Sequence, residues 1–125
     1  MEVRFTTGPH GPAIKTPWCP ALGFVLSMDG NCPDAWFLTA LAEGLRAVLA
    51  GEEPEYGVAQ DEVSTLITPE LVEIVVSEMP DGTALFRESM PTQECAAIVA
   101  LWRAHLVDLA EQRQAEPGAT ADGGA

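Results

Sequence analysis

Cys19, Cys32, His10 and His105 could together offer two thiolates and two imidazoles to a zinc ion. Their spacing points away from it, because structural zinc takes ligands in close pairs from single turns, and no two of these residues lie within four positions of each other. Cys32, just before Pro33 at an expected helix start, is the thiol best placed for reactivity, since a helix N-terminus favours the thiolate. A nucleophile also needs a base within reach, and the sequence places neither histidine near Cys32. Cys95 falls in an apolar segment and reads as a small core residue. The expectation is therefore no metal and no cofactor.

Other entry points to catalysis are missing. The chain contains no G-x-S-x-G, H-E-x-x-H, G-x-x-x-x-G-K-[ST] or G-x-G-x-x-G pattern. Asp29-Gly30-Asn31 with Asp34 holds part of a calcium loop but not the alternating oxygen ligands or the distal glutamate. A turn followed by a helix start accounts for it. Asp61 and Glu62 are adjacent, so on a strand they would point to opposite faces and could not converge on a proton.

The acidic middle of the chain stands out against this background. Between Arg46 and Arg87 there is no Lys or Arg, while Glu52, Glu53, Glu55, Asp61, Glu62, Glu70, Glu73, Glu78 and Asp81 all carry negative charge. Gathered on one face, such charges would steer a basic partner in and reject acidic competitors. Glu52, Glu53, Glu55, Asp61 and Glu62 are the expected binding residues, with Tyr56 as an aromatic anchor among them. The expected function is a small acidic, non-enzymatic interaction protein of the inhibitor, immunity or adaptor kind. The alternative is a small-molecule binding protein or small enzyme, with a pocket bordered by Trp18, Cys19, Cys32 and Trp36.

Composition sets the wider limits. The 125 residues suffice for one domain with a single core, and six Lys plus Arg against 19 Asp plus Glu leave a net charge of -13. Such a surface repels nucleic acid phosphates and anionic lipids. The longest apolar run, residues 95–102, falls far short of the roughly 20 residues of a membrane span. The opening residues Met1-Glu2-Val3-Arg4-Phe5 do not resemble a signal peptide, so a cytoplasmic protein with reduced thiols is expected. A single lysine, Lys15, amid many Ala and Gly residues suggests a bacterial sequence rich in G and C.

The elements that must position these residues follow from periodicity. Val3 and Phe5 alternate with polar neighbours, predicting a strand that stops at Gly8-Pro9. Four prolines in residues 9–20 predict a long irregular loop in which Trp18 covers the core. Leu22, Phe24, Leu26 and Met28 recur at every second position and predict a second strand. A helix should open at Asn31-Cys32-Pro33-Asp34 and stop at Gly51, with Phe37, Leu38, Leu41, Leu45, Val48 and Leu49 on its buried stripe. Residues 63–68 read as a strand. In residues 68–79, Thr68-Pro69-Glu70 resembles a helix cap while Val72, Ile74, Val75 and Val76 are β-branched, and the context decides for strand. Met79-Pro80-Asp81-Gly82-Thr83 reads as a hairpin turn that pairs Val76 with Phe86 and Val75 with Arg87.

A last helix opens at Pro91-Thr92-Gln93-Glu94 and runs to about Arg113, with Ile98, Trp102, Leu106 and Leu109 along one face. Its first half has no polar face, which suggests a central position or a homodimer interface. Residues 114–125 are small and polar and are expected to be a disordered tail behind a single domain of residues 1–113. The fold class is α+β: a mostly antiparallel sheet of about four to five strands with two main helices packed on one face.

Overall fold

The computed structural model describes residues 2–8, 11–17, 19–27, 32–60, 63–77 and 86–115. The chain is α+β, with three helices and two antiparallel sheets among the described residues. Strands β1 (Arg4–Gly8) and β2 (Gly11–Lys15) form a two-stranded sheet, in which Thr7 lies opposite Pro12 and Phe5 opposite Ile14. The prolines of residues 9–20 therefore do not make the whole segment irregular. Pro12 fits β2 because a two-stranded sheet has only edge strands, where a missing N–H can face away from the partner.

The second correction concerns residues 20–27, where the expected strand is helix α1 (Pro20–Ser27). Alternate large residues suggested a strand, yet Ala21, Leu22, Gly23, Val25 and Leu26 are all buried, so the segment is apolar on nearly every side. Periodicity cannot separate a short buried helix from a buried strand. The N-terminus decides the matter, because each of its early donors is satisfied. Pro20 has no N–H to satisfy, Ala21 N–H donates to Glu88 Oε1 at 2.7 Å, and Leu22 N–H donates to the Cys19 carbonyl at 3.0 Å. Gly23 N–H donates to Thr16 Oγ1 at 2.8 Å, and that hydroxyl donates in turn to the Cys19 carbonyl at 2.7 Å. At the far end, Ser27 Oγ accepts the Ile14 N–H at 3.0 Å and fastens the helix to β2.

Helix α2 (Trp36–Leu49) begins slightly later than expected, after a turn in which Ala35 N–H donates to the Cys32 carbonyl. It stops where expected. Gly51 has φ of 78°, its N–H donates to the Val48 carbonyl, and the Glu52 N–H reaches back to Ala47, which together close the helix C-terminus. The buried stripe is as expected except for Leu49, which is exposed.

The main sheet has four strands in the order β3 (Tyr56–Gln60), β4 (Val63–Ile67), β5 (Leu71–Val76) and β6 (Phe86–Pro91). Strand β3 was not expected, because Gly57 and Ala59 give its outer face no side chains large enough to register as a strand pattern. Residues 68–70 make a turn, not a helix cap, with Thr68 Oγ1 bonded to both backbone groups of Leu71. The hairpin register is the expected one, with Val75 opposite Arg87 and Val76 opposite Phe86. Its turn at residues 79–83 lies outside the described residues.

Helix α3 (Thr92–Ala115) follows β6 directly and extends two residues beyond the expected end at Arg113, while residues 116–125 of the expected tail lie outside the described residues. The four-stranded sheet buries Val58, Val63, Thr65, Ile67, Val72, Ile74, Val76 and Met90 in one core with residues of all three helices. The buried threonines are all bonded: Thr65 to the Val58 carbonyl and Thr92 to the Thr68 carbonyl, besides Thr16. The expected single sheet is thus two sheets, and α1 is a third helix that contacts β2, β5 and β6.

Gly23 is where α1 crosses β2, and a Cβ there would meet the Ile14 carbonyl oxygen and Thr16 Oγ1, each at 2.9 Å. The substitution Gly23→Ala should therefore destabilise the protein by about 1–3 kcal/mol through overpacking, against a gain of about 1 kcal/mol in helix propensity. Urea unfolding checks the sign, and a more stable variant would show that α1 does not approach β2 this closely.

Candidate functional site: an acidic aromatic groove

An open groove of about 490 Å³ runs between one flank of α2 and the start of β3. Trp36, Thr39, Ala40 and Glu43 of α2 line it, with Asp34 from the preceding turn and Tyr56 from β3. Their helical spacing, with Trp36, Ala40 and Glu43 one turn apart, sets these side chains on one stripe. The opposite flank of α2 supplies Ala42, Leu45, Arg46 and Leu49 to a second, more apolar depression against Ala96, Val99, Ala100 and Arg103 of α3.

Gly44 brings the strand to the helix. A Cβ at this position would lie 2.5 Å from Tyr56 Cδ1 and 3.0 Å from Ile67 Cδ1, so the missing side chain is the space the tyrosine ring occupies. Tyr56 is half-buried as a result, while Trp36 is 63% exposed although it is among the largest apolar side chains. A tryptophan left in water beside a tyrosine and two carboxylates offers ring faces and negative charge to one ligand. Such a surface suits a guanidinium or ammonium group, with a cation over an exposed ring worth about 0.5–1 kcal/mol.

Of the groove's two carboxylates, Glu43 is already paired with an arginine through both of its oxygens. Arg46 Nη2 lies 2.6 Å from Glu43 Oε2 and 3.0 Å from Glu52 Oε1, so one cation serves two carboxylates. Its hydrogen bonds hold Glu43 and Glu52 below the ordinary carboxylate range and raise Arg46 in turn. Both acids stay ionised in mildly acidic solution. The stability these pairs add is small on an exposed surface; it is present above the ordinary carboxylate pKa and lost as pH falls through the lowered values.

The structure redistributes the residues that the sequence singled out. Tyr56 and Trp36, expected in two different sites, line the same groove. Glu52 is engaged with Arg46, whereas Glu53 and Glu55 are exposed and lead directly into β3. Asp61, Glu62 and Trp18 lie outside the described residues. Thr39, Ala40 and Glu43 were not singled out, and Asp34 only as part of a helix start, although the helical spacing of Ala40 and Glu43 from Trp36 was visible in the sequence.

Of the expected thiol pocket, Trp18 lies outside the described residues, and Trp36 lines the groove between α2 and β3. Neither groove contains Cys19 or Cys32. Cys19 is buried at the foot of α1, its Sγ 4.0 Å from Glu88 Oε1, and burial with the neighbouring carboxylate pushes its pKa up. Burial also raises Cys95, to about 12. Cys32 is exposed. His105 stacks on Phe5 at 4.0 Å and tilts against Trp102, while His10 lies outside the described residues. Among the described residues no group of three His, Cys, Asp or Glu could hold a metal, and no helix is long and apolar enough to cross a membrane.

The chain matches no known protein family, no curated protein and no solved structure.

Thiol labelling gives a direct check on this arrangement. Of the three cysteines, Cys32 should react with a disulfide reagent within the mixing time of a bench assay, and Cys19 and Cys95 only as denaturant unfolds the chain. Three fast thiols in the native protein would contradict the burial of α1 and α3.

Proposed function

We propose that this chain is a non-enzymatic interaction protein that binds a basic protein partner through the groove between α2 and β3. An inhibitor, immunity or adaptor role fits such a module. The observation that carries the reading is Trp36, exposed in a groove that holds the carboxylates of Asp34 and Glu43. Exposed aromatic residues of this kind anchor interfaces, because they bury a large area at little entropic cost once a partner covers them. The surrounding net charge of -13 raises the rate at which a basic partner arrives and disfavours acidic ones. Glu53 and Glu55 extend the negative field along the approach to Tyr56.

Affinity capture from the host lysate tests this when wild type is compared with two variants. The triple reversal of Asp34, Glu53 and Glu55 to lysine should lose a stoichiometric basic protein that wild type retains at low salt and releases at high salt. Trp36→Ala should weaken retention at all salt concentrations by about 1–3 kcal/mol, the range of an interface anchor. Equal capture by all three proteins would remove the groove from the interaction.

A second surface supports self-association. Ala97, Ala100, Leu101, Ala104 and Val107 form an exposed stripe on α3, with Leu101 52% and Val107 43% accessible. Light scattering should give a dimer for wild type and a monomer for Leu101→Glu; a monomeric wild type across the micromolar range would discard this interface.

A further inference from the structure

Strand β3 ends the four-stranded sheet, and among the described residues it pairs with β4 alone. No described backbone group bonds to its outer side. Proteins usually protect such an edge with a proline, a charged side chain or a covering element. The other edge, β6, carries Arg87, Glu88 and Pro91; helices contact both edge strands, α1 and α3 at β6 and α2 at β3. Tyr56-Gly57-Val58-Ala59-Gln60 has no charge, no proline and no large side chain on its outer face.

We infer that the groove's ligand is an extended, basic segment of a partner protein that adds to β3 as a fifth strand and places a Lys or Arg side chain against Trp36 in the groove that Asp34 lines, Glu43 being paired with Arg46. This inference rests on the binding mode proposed above and specifies it further. Tyr56 and Val58 share the buried face of the sheet, the face that α2 covers. An incoming strand would lie about 4.8 Å beyond β3, with alternate side chains on that same face. The residue opposite Tyr56 would then project towards the α2 flank that bears Trp36, Thr39, Ala40 and Glu43. The backbone bonds supply affinity of a sequence-independent kind, and the groove selects the side chain.

Charge distinguishes this occupant from a second copy of the chain. In sequence, β3 follows Glu52, Glu53 and Glu55 and precedes Asp61 and Glu62. Pairing two copies of β3 antiparallel would bring the acids before one strand against the acids after the other, and parallel pairing would set like against like. Both are repulsive. A strand with Lys or Arg at its two ends and one in its middle meets the opposite condition.

The test uses the full chain and a synthetic peptide, capped at both ends, of sequence Lys-Thr-Val-Thr-Arg-Thr-Val-Thr-Lys. Two further versions are N-methylated on odd or on even residues, each blocking one hydrogen-bonding edge while keeping all charge, and a last version carries Glu in place of every basic residue. Amide NMR titration should show shifts at β3 and at Trp36, at least tenfold weaker binding by one N-methylated version only, and no binding by the acidic peptide. Trp36→Ala, a change at an exposed position, should weaken the parent peptide several-fold. Equal binding by both N-methylated versions, or shifts centred on β6, would overturn strand addition while leaving a basic ligand in the groove. Failure of every cationic peptide to bind, or equal binding of the acidic one, would overturn both readings.

Discussion

The carboxylate of Glu88 joins the two parts of this fold. It projects from β6 of the four-stranded sheet and accepts the Ala21 N–H at the first turn of α1. A helix N-terminus is where a negative charge is most favourable, because its backbone donors are unpaired and its dipole is positive there. Thr16, the residue after β2, completes the arrangement, so that the small sheet, α1 and the large sheet meet over Cys19. The outcome is a buried helix whose ends are both fixed to strands, since Ser27 is bonded to Ile14 at the other end. These contacts orient α1 in addition to the apolar burial of its side chains.

Much of the remaining architecture was legible in the sequence, and where it was not the reason is physical. The α2 stripe, the closing glycine at Gly51, the β5–β6 register and the long last helix all followed from local patterns that agreed with the global fold. Residues 20–27 misled because an all-apolar segment has no contrast from which to read a period, and its helix depends on donors satisfied by Thr16 and Glu88, the latter 67 positions away from Ala21. Strand β3 was hidden by its small residues. The α+β class survived both errors, since it depends on antiparallel pairing and not on which segment supplies a given layer.

The candidate site was legible by residue type and not by grouping. Acidic bias and two aromatics could be read off the chain, but Trp36 and Tyr56 are brought together only by the crossing of α2 and β3. With 19 acidic residues against six Lys and Arg, the negative charge exceeds what the chain's own cations can pair, and the excess acts as a long-range field that salt screens within about 8–10 Å. The groove adds what a diffuse field lacks, namely a defined direction from which a cation can approach and a ring face to receive it.

The seating of the Tyr56 ring over Gly44 makes recognition a report on tertiary structure. Isolated α2 carries Trp36 and Glu43, and an isolated β3–β4 hairpin carries Tyr56, but neither piece possesses the cleft. A ligand held there has affinity only for the docked arrangement, so by mass action its binding free energy becomes folding free energy. The apparent melting temperature of the protein then depends on how much partner is present. An excess of partner would shelter the chain from proteolysis, and a chain made without its partner would be the first to be cleared.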